Sequence, residues 1–212
     1  MSEGPQGRQV TFCDEALFGF GWIASEPPLL RRASHALGHE GRVWLLDPVD
    51  GTGVEERVRA LGEPAGVIQL LDRHERDGPA LAARLGVPLH AVPDEVPEAP
   101  FELLRVVNWP GWRERALWWP EHGVLVCADA VGTAPYFLAP GERLAVHPLL
   151  RLTPPRALRD ALSPRGVTPR HALCGHGEGI HGEEAALALA EAITTARRRI
   201  PRYLTGFLRR TR

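Results

Sequence analysis

Residues 113–129, RERALWWPEHGVLVCAD, are the stretch that most specifically indicates the fold. Two apolar segments, 113–119 and 124–128, flank the turn sequence Pro120-Glu121-His122-Gly123 and are expected to form a β-hairpin. Asp129 ends the second segment, where a carboxylate is costly unless a cation or a donor pairs with it. The hairpin therefore delivers an acidic group that is either a metal ligand or the partner of an arginine.

Short apolar strands and amphipathic helices alternate on both sides of this hairpin, which predicts an α/β protein. A proline-rich segment at 92–100 is the expected long loop between two mixed halves of similar size. Strands are predicted at 9–13, 17–23, 42–46, 67–71, 88–92, 102–107 and 171–174, and helices at 29–37, 54–61, 79–85, 155–162 and 183 to about 199.

Bulk composition is that of an ordinary folded domain. The chain has 212 residues, 44% hydrophobic and 24% charged, which favours one domain over residues 1–212. The N-terminus lacks a signal-peptide pattern, and no apolar stretch is long enough to span a bilayer, so we expect a cytoplasmic protein without a membrane partner.

Composition also disfavours several functions. A net charge of -1 argues against nucleic-acid binding, and the basic C-terminus is interpreted as a solvated helix face. The chain contains no lysine, which excludes Schiff-base chemistry, and no GxSxG, P-loop or dinucleotide-binding glycine pattern. Three cysteines without a CxxC pair indicate neither a zinc knuckle nor a disulfide scaffold; Cys127 and Cys174 are expected to be buried.

Four segments, in chain order, resemble motifs of the metallo-β-lactamase superfamily. Residues 42–48, RVWLLDP, resemble "hLIDxG", and residues 70–78, LLDRHERDG, resemble "LLTHxHxDH". Residues 108–111 with 118–129 resemble "HTPG…LYxPExGVLFTGD", and residues 174–177, CGHG, resemble "PGHG". The resemblance implies a four-layer αββα sandwich, with two mixed sheets packed face to face and helices outside. It also implies that His and Asp side chains at strand ends converge on one or two metal ions, which activate water.

The favoured alignment leaves a largely degenerate metal site. It places Arg73 and Glu75 at the two histidines of HxH, Asp77 at the motif aspartate, and Gly78 at the last histidine. The histidine of "HTPG" falls on Asn108. The resemblance then implies that Asp77, Asp129 and His176 survive as metal ligands, with Asp77 also the candidate catalytic residue.

A shift of one residue gives a different set. It places Asp72 and His74 at HxH, Arg76 at the aspartate, and Asp77 at the last histidine, a set that could hold two metals. We favour the unshifted alignment about two to one, given the usual uncertainty of such boundaries. Further residues expected to line the site are therefore Asp72, Arg73, His74, Glu75, Arg76, Asn108 and Trp109.

Two hypotheses follow. In the favoured one, arginine–carboxylate pairs have replaced the metals, and the protein is a non-catalytic or ligand-binding relative rather than a conventional dizinc hydrolase. In the other, a single Zn, Fe or Mn ion serves an atypical hydrolase of an ester, thioester, lactone or similar small substrate. The first predicts no metal cofactor and the second predicts one. A direct contact between an arginine and Asp129 is expected to leave no room for a cation.

Tryptophans around the hairpin, among them Trp109 and Trp112, are core residues by default but could face a small ligand or form a homodimer contact.

Overall fold

The first half of the chain forms a six-stranded mixed sheet. The structure is a computed structural model that describes residues 7–26, 29–153, 158–159 and 168–210. In order across the sheet, the strands are β1 (Val10–Ala16), β2 (Gly19–Ala24), β3 (Ala33–His39), β4 (Arg42–Leu46), β5 (Glu63–Gln69) and β6 (Leu89–Ala91). Strands β1 to β4 are antiparallel neighbours, whereas β4, β5 and β6 are parallel because helices α1 (Val54–Leu61) and α2 (Gly78–Leu85) connect them.

The second half forms a five-stranded sheet that contains the predicted hairpin. Its strands are β7 (Glu102–Trp109), β8 (Trp112–Trp119), β9 (Val124–Cys127), β12 (His171–Cys174) and β13 (Ile180–His181), in the order β13-β12-β9-β8-β7. A two-stranded ribbon, β10 (Val131–Gly132) and β11 (Ala145–Val146), lies between β9 and β12 in sequence. Helices α3 (Glu183–Thr195) and α4 (Ile200–Arg210) follow.

Two apolar clusters build the layers. The larger lies between the sheets, where Trp44 of β4 and Trp119 of β8 both pack edge-on against Phe101, with ring centroids 5.4 and 5.2 Å apart. The smaller lies on the outer face of the first sheet, where Val43 contacts the cluster formed by Val58 of α1 and neighbours from α2. Adjacent residues of β4 thus face opposite layers, as strand geometry requires. With α3 packed against β12 and β13, the architecture is the expected αββα sandwich.

One predicted element is wrong and one is shorter than predicted. Residues 29–37 do not form a helix, because β3 occupies Ala33–His39 and pairs on both sides with β2 and β4. Apolar residues at helical spacing suggested the helix, and sheet pairing overrides that local preference. The helix predicted at 183 to about 199 is present but ends earlier, at Thr195, and α4, which begins at Ile200, was not predicted.

Three further expectations concern the helix at 155–162, the cysteines and membrane-spanning segments. The helix predicted at 155–162 lies almost entirely outside the described residues. Cys127 and Cys174 are buried and unpaired as thiols, as expected. No described helix has the length and apolarity needed to cross a bilayer.

The two pairs of parallel strands place their carboxyl ends together. β4 and β5 are parallel neighbours in the first sheet, and β9 and β12 are parallel neighbours in the second. Two isolated bridges link the sheets nearby, one between Leu71 and Glu114 and one between Arg32 and His176. Segments that follow these four strands therefore meet at one edge of the sandwich, where side chains from both sheets can form a site.

Candidate metal centre

Two histidines and an aspartate converge at this edge. His74 lies beyond the end of β5, Asp129 beyond β9 and His176 beyond β12. One possible ligand atom from each residue lies within 4.8 Å of the other two, and all three residues are buried. Among the described residues, no other three His, Cys, Asp or Glu side chains form such a group. We call His74, Asp129 and His176 the central triad.

The ring of His74 is fixed by a carboxylate on its far side. Nδ1 lies 2.9 Å from Oδ2 of Asp47, the residue that follows β4. Asp47 is buried, and its Oδ1 accepts a 2.7 Å hydrogen bond from the backbone N–H of Leu70. A carboxylate at Nδ1 stabilises the tautomer that carries its proton there. The Nε2 lone pair of the neutral ring is then directed at Asp129, whose Oδ1 lies 3.2 Å away.

The ring of His176 is fixed in the same sense by backbone. Nδ1 lies 2.8 Å from the carbonyl oxygen of Leu30, which can only accept a hydrogen bond. Nδ1 must therefore donate, and Nε2 of the neutral ring carries the lone pair. That Nε2 lies 3.1 Å from the same Oδ1 of Asp129. Outward hydrogen bonds from the distal nitrogens are the usual arrangement of metal-binding histidines.

The two oxygens of the Asp129 carboxylate have different neighbours. Buried Oδ1 faces the two imidazoles, but no described residue makes a hydrogen bond of good geometry to it. Oδ2 faces Arg73, whose Nη2 lies 3.3 Å away. Burial alone would raise the pKa of Asp129, but the His176 and His74 imidazoles outweigh burial and lower it below its ordinary value. An anionic oxygen that faces two imidazole nitrogens needs a proton or a cation between them, and two imidazoles with one carboxylate suit a divalent zinc or iron ion.

Glu114 of β8 holds the backbone that carries Asp129. Its fully buried carboxylate accepts hydrogen bonds from the N–H groups of Asp129 and Ala130 at 3.0 and 2.9 Å, and from the Trp112 indole at 3.1 Å. Burial, followed by the charge of Asp129, raises the pKa of Glu114 to about 7. Sequence reasoning missed this positioning residue, because one carboxylate inside an apolar strand matches no motif.

Arg76 supplies a fixed positive charge behind the central triad. Its Nη1 donates to the carbonyl oxygens of Ala33 and Asp47 at 2.5 and 2.8 Å, and its Nη2 donates to that of Gly175 at 2.9 Å. The carbonyls of Asp47 and Gly175 belong to the segments that carry Asp47 and His176, so the guanidinium ties those two segments to each other and to the start of β3. In the shifted alignment this arginine stands where the family motif has its metal-binding aspartate.

Asp77, the expected catalytic residue and ligand, lies outside the central triad. It precedes α2, and its Oδ2 accepts hydrogen bonds from Nη1 of Arg8 at 2.6 Å and from the N–H of Asp50 at 2.8 Å. Its carboxylate is therefore engaged with the N-terminal segment, and we remove it from the candidate site. His74 takes its place, as the shifted alignment allowed.

The other expected site residues are divided between the rim and the surface. Oδ2 of Asp72 accepts a 3.0 Å hydrogen bond from the N–H of Arg113, which turns it toward the β7–β8 hairpin. Glu75 and Asn108 are exposed. Trp109 is 46% exposed at the tip of the same hairpin. None of these four residues joins the central triad within the described chain.

His147 lies close to the site and was not predicted to belong to it. Its Nδ1 accepts a 3.2 Å hydrogen bond from the N–H of Leu149, so the neutral ring carries its proton on Nε2. Burial lowers the pKa of His147 to about 4, which keeps the ring neutral at pH 7. The ring contacts Trp112 edge-on at 4.7 Å. The neutral His147 ring, which carries an N–H donor at Nε2, therefore lies behind Trp112 and close to the central triad.

Comparison with known proteins agrees with this architecture. No protein-family model matches the sequence, and a search of curated proteins found no match. Among solved structures, the metallo-β-lactamase DIM-1 is 12% identical with a TM-score of 0.58, over 90% of this chain and 99% of that one. The metallo-β-lactamase FIM-1 from Pseudomonas aeruginosa, in its mono-zinc form, is 10% identical with a TM-score of 0.59, over 91% and 98%.

A different kind of protein shares the same architecture. Rubredoxin oxygen:oxidoreductase from Desulfovibrio gigas is 16% identical with a TM-score of 0.56, over 84% of this chain and 56% of that one. Identities this low establish the fold alone. The two sheets, their order and their similarity to these structures show that the chain has the metallo-β-lactamase fold.

Proposed function

We propose that the protein is a metal-dependent hydrolase with one divalent ion, held by Nε2 of His74, Nε2 of His176 and Oδ1 of Asp129. The observation that carries this proposal is the convergence of two imidazole nitrogens, 3.2 and 3.1 Å away, on one buried carboxylate oxygen. Both distal nitrogens have acceptors, so both inner nitrogens are free to bind metal. The sequence alone favoured a non-catalytic relative without metal. The proposal reverses that preference, because His74 supplies an imidazole that the favoured alignment lacked.

The contact between Arg73 and Asp129 does not exclude an ion. Arg73 approaches Oδ2, whereas the imidazoles approach Oδ1, so the guanidinium and the proposed ion use different oxygens of one carboxylate. The sequence-based expectation that such a contact leaves no room for a cation overlooked this division.

Arg76 favours one ion over two. Its buried guanidinium already provides a positive charge near Asp47 and Asp129, and a second divalent ion beside it would meet strong repulsion. FIM-1, a neighbour in fold, has been crystallised in a mono-zinc form, so the fold accommodates a single zinc.

In this proposal the residues of the chain position the reaction. A divalent ion held by the triad would polarise a carbonyl or phosphoryl oxygen and make water more acidic. Asp47 and the Leu30 carbonyl orient the two imidazoles, and Glu114 fixes the backbone of Asp129. Arg73, half-exposed at the rim, faces the position of an incoming substrate. We propose esters, thioesters or lactones as the substrates and the cytoplasm as the location.

The test is metal content and hydrolysis measured on matched variants. Elemental analysis of untagged protein, before and after loading with Zn, Fe or Mn, is expected to give about one equivalent for the wild type, since such sites normally fill. His74→Gln and His176→Gln should lose the metal and the metal-dependent hydrolysis of a panel of aryl esters, thioesters and lactones. His181→Gln, a histidine hydrogen-bonded to Asp14 elsewhere, serves as the control and should retain both.

A metal-free ligand-binding protein is the second candidate. Asp47 and Asp129 raise the pKa of His74 above its ordinary value, although burial and Arg76 oppose them. A proton on His74 could therefore supply the positive charge between the imidazoles and Asp129. Less than about a tenth of an equivalent of metal after loading would overturn the hydrolase and favour this candidate.

A further inference from the structure

Arg73 is held at the rim of the central triad by an aromatic ring. Its guanidinium carbon lies 4.3 Å from the centroid of the Trp112 ring. Its side chain is 45% exposed, although Nη2 also reaches Oδ2 of Asp129 at 3.3 Å. The guanidinium is thus immobilised on one face and open to solvent on its edge.

This arrangement leaves hydrogen-bond donors unused. A guanidinium has five N–H donors, and stacking on an aromatic face engages none of them. Among the described residues, Asp129 provides the one hydrogen-bond contact of Arg73, and it is long for a charged pair. The planar edge that remains matches the two oxygens of a carboxylate.

An exposed apolar surface adjoins the guanidinium. Trp109 packs edge-on against Trp112 with ring centroids 6.0 Å apart, and 46% of its surface is exposed. Both tryptophans belong to the β7–β8 hairpin, whose tip lies beside the triad. The rim therefore presents a cationic group and a flat apolar wall side by side.

We propose that Arg73, Trp112 and Trp109 form a subsite for an aryl or alkyl carboxylate. This inference rests on the proposed function and narrows its substrates to compounds that carry a carboxylate and an apolar group next to the hydrolysed bond. The carboxylate pairs with the edge of Arg73 and the apolar group packs on Trp109. Arg73 can keep its long contact with Oδ2 of Asp129 and offer its remaining N–H donors to the substrate carboxylate.

The test uses benzoate, benzamide and acetate as probes of the full-length protein. Binding is followed through the indole N–H resonance of Trp109 in NMR spectra, assigned with Trp109→Phe, for protein as purified and after zinc loading. Benzoate should bind the zinc-loaded protein about tenfold more tightly than benzamide, which lacks the charge, and than acetate, which lacks the ring. Arg73→Gln should remove the advantage over benzamide. Arg113→Gln, on the same hairpin and 62% exposed, should retain it.

The outcomes separate this inference from the proposed function. If zinc binds but Arg73→Gln leaves benzoate affinity unchanged, or benzamide binds as well as benzoate, the subsite is overturned and the metal centre stands. If no metal binds but benzoate affinity still depends on Arg73, the subsite stands and the hydrolase proposal fails. Zinc content is measured separately in each variant, so a loss of benzoate affinity that follows loss of metal is distinguished from one caused by removal of the guanidinium.

Discussion

In the described part of the chain, an aspartate meets two histidines in two places, and their hydrogen bonds distinguish them. One is the central triad. The other, which we call the edge cluster, consists of Asp14 with His181 and His35 beside it, and of His171, which contacts the far side of His181. In both, burial would raise the pKa of the aspartate, but the adjoining histidines outweigh it and lower the pKa. Composition alone would give the two groups the same function.

The edge cluster is a closed chain of hydrogen bonds. Nε2 of His181 lies 2.9 Å from Oδ1 of Asp14, which also accepts a 2.9 Å hydrogen bond from the N–H of Gly179. Nδ1 of His181 lies 2.9 Å from Nδ1 of His171. Each contact can be satisfied by one proton, so no lone pair between the rings is left for a metal. In the central triad the distal nitrogens face hydrogen-bond acceptors and the inner nitrogens face Asp129, which is why the metal is proposed there.

The largest expected effect is loss of metal on Asp129→Asn. Removing a direct ligand should weaken zinc affinity more than about 100-fold, since loss of an outer partner alone costs up to that much. Asp14→Asn makes the same chemical change in the edge cluster and should leave zinc affinity within about twofold. Competition with a chromophoric chelator measures both. Equal losses in the two variants would show that the edge cluster also contributes to metal binding.

The next effect is on stability, and here we expect the substitution in the edge cluster to matter. Asp14 has a side chain 3% exposed and connects β1 to the segment after β12. Asp14→Asn should lower the free energy of unfolding at pH 7 by about 2–3 kcal/mol, because it breaks a buried charge-assisted contact. Urea denaturation of metal-free protein measures this.

The pH dependence of that difference has a definite sign. The folded-state pKa of Asp14 is lowered, so its contribution to stability is complete above the unfolded value of about 3.9. The contribution is lost as the pH falls toward the folded-state pKa. The difference between wild type and Asp14→Asn should therefore shrink below about pH 4 and stay constant from pH 5 to 7. A difference that grows on acidification would contradict the assignment.

Sequence predicted most of the sheet architecture, but it did not predict the full ligand set. The hairpin at β8 and β9 was predictable because its apolar segments and turn residues are local signals. β3 was not, since its strand character comes from pairing with two neighbours rather than from its own residues. Asp129 and His176 were named as ligands from motifs at strand ends, and the structure brings them together.

His74 and Asp77 show why the remaining ligand was uncertain. They lie three residues apart in a turn-rich segment, where a shift of one residue changes which side chain faces the site. Asp77 is turned away by Arg8, a partner 69 positions earlier in the chain that no motif search would connect with it. The choice between the two alignments depended on contacts between residues distant in sequence. The local sequence pattern around residues 72–78 gives no information about such contacts.

A smaller effect tests the orientation of the central triad. Asp47→Asn retains the shape of the side chain and suits its left-handed backbone, with φ of 42°. It removes the carboxylate that fixes the tautomer of His74, so zinc affinity should fall about 10–100-fold. The control is Asp50→Asn, at a carboxylate paired with Arg84 on the surface, which should not change zinc affinity. Unchanged affinity in Asp47→Asn would mean that His74 does not bind metal through Nε2.

The smallest expected effect concerns the outer end of the edge cluster. Burial, followed by the charge of His181, lowers the pKa of His171, so the ring is neutral at pH 7 and donates or accepts one proton at Nδ1. His171→Gln should cost about 0.5–1 kcal/mol of stability, the ordinary value of one partly exposed hydrogen bond. Zinc stoichiometry should stay at its wild-type value, because a chain that is closed by its own protons has no lone pair to offer. If zinc stoichiometry instead fell in His171→Gln, the two rings, whose Nδ1 atoms lie 2.9 Å apart, would themselves take part in metal binding. The orientation of the distal nitrogens would then not suffice to distinguish a metal centre from a hydrogen-bonded chain.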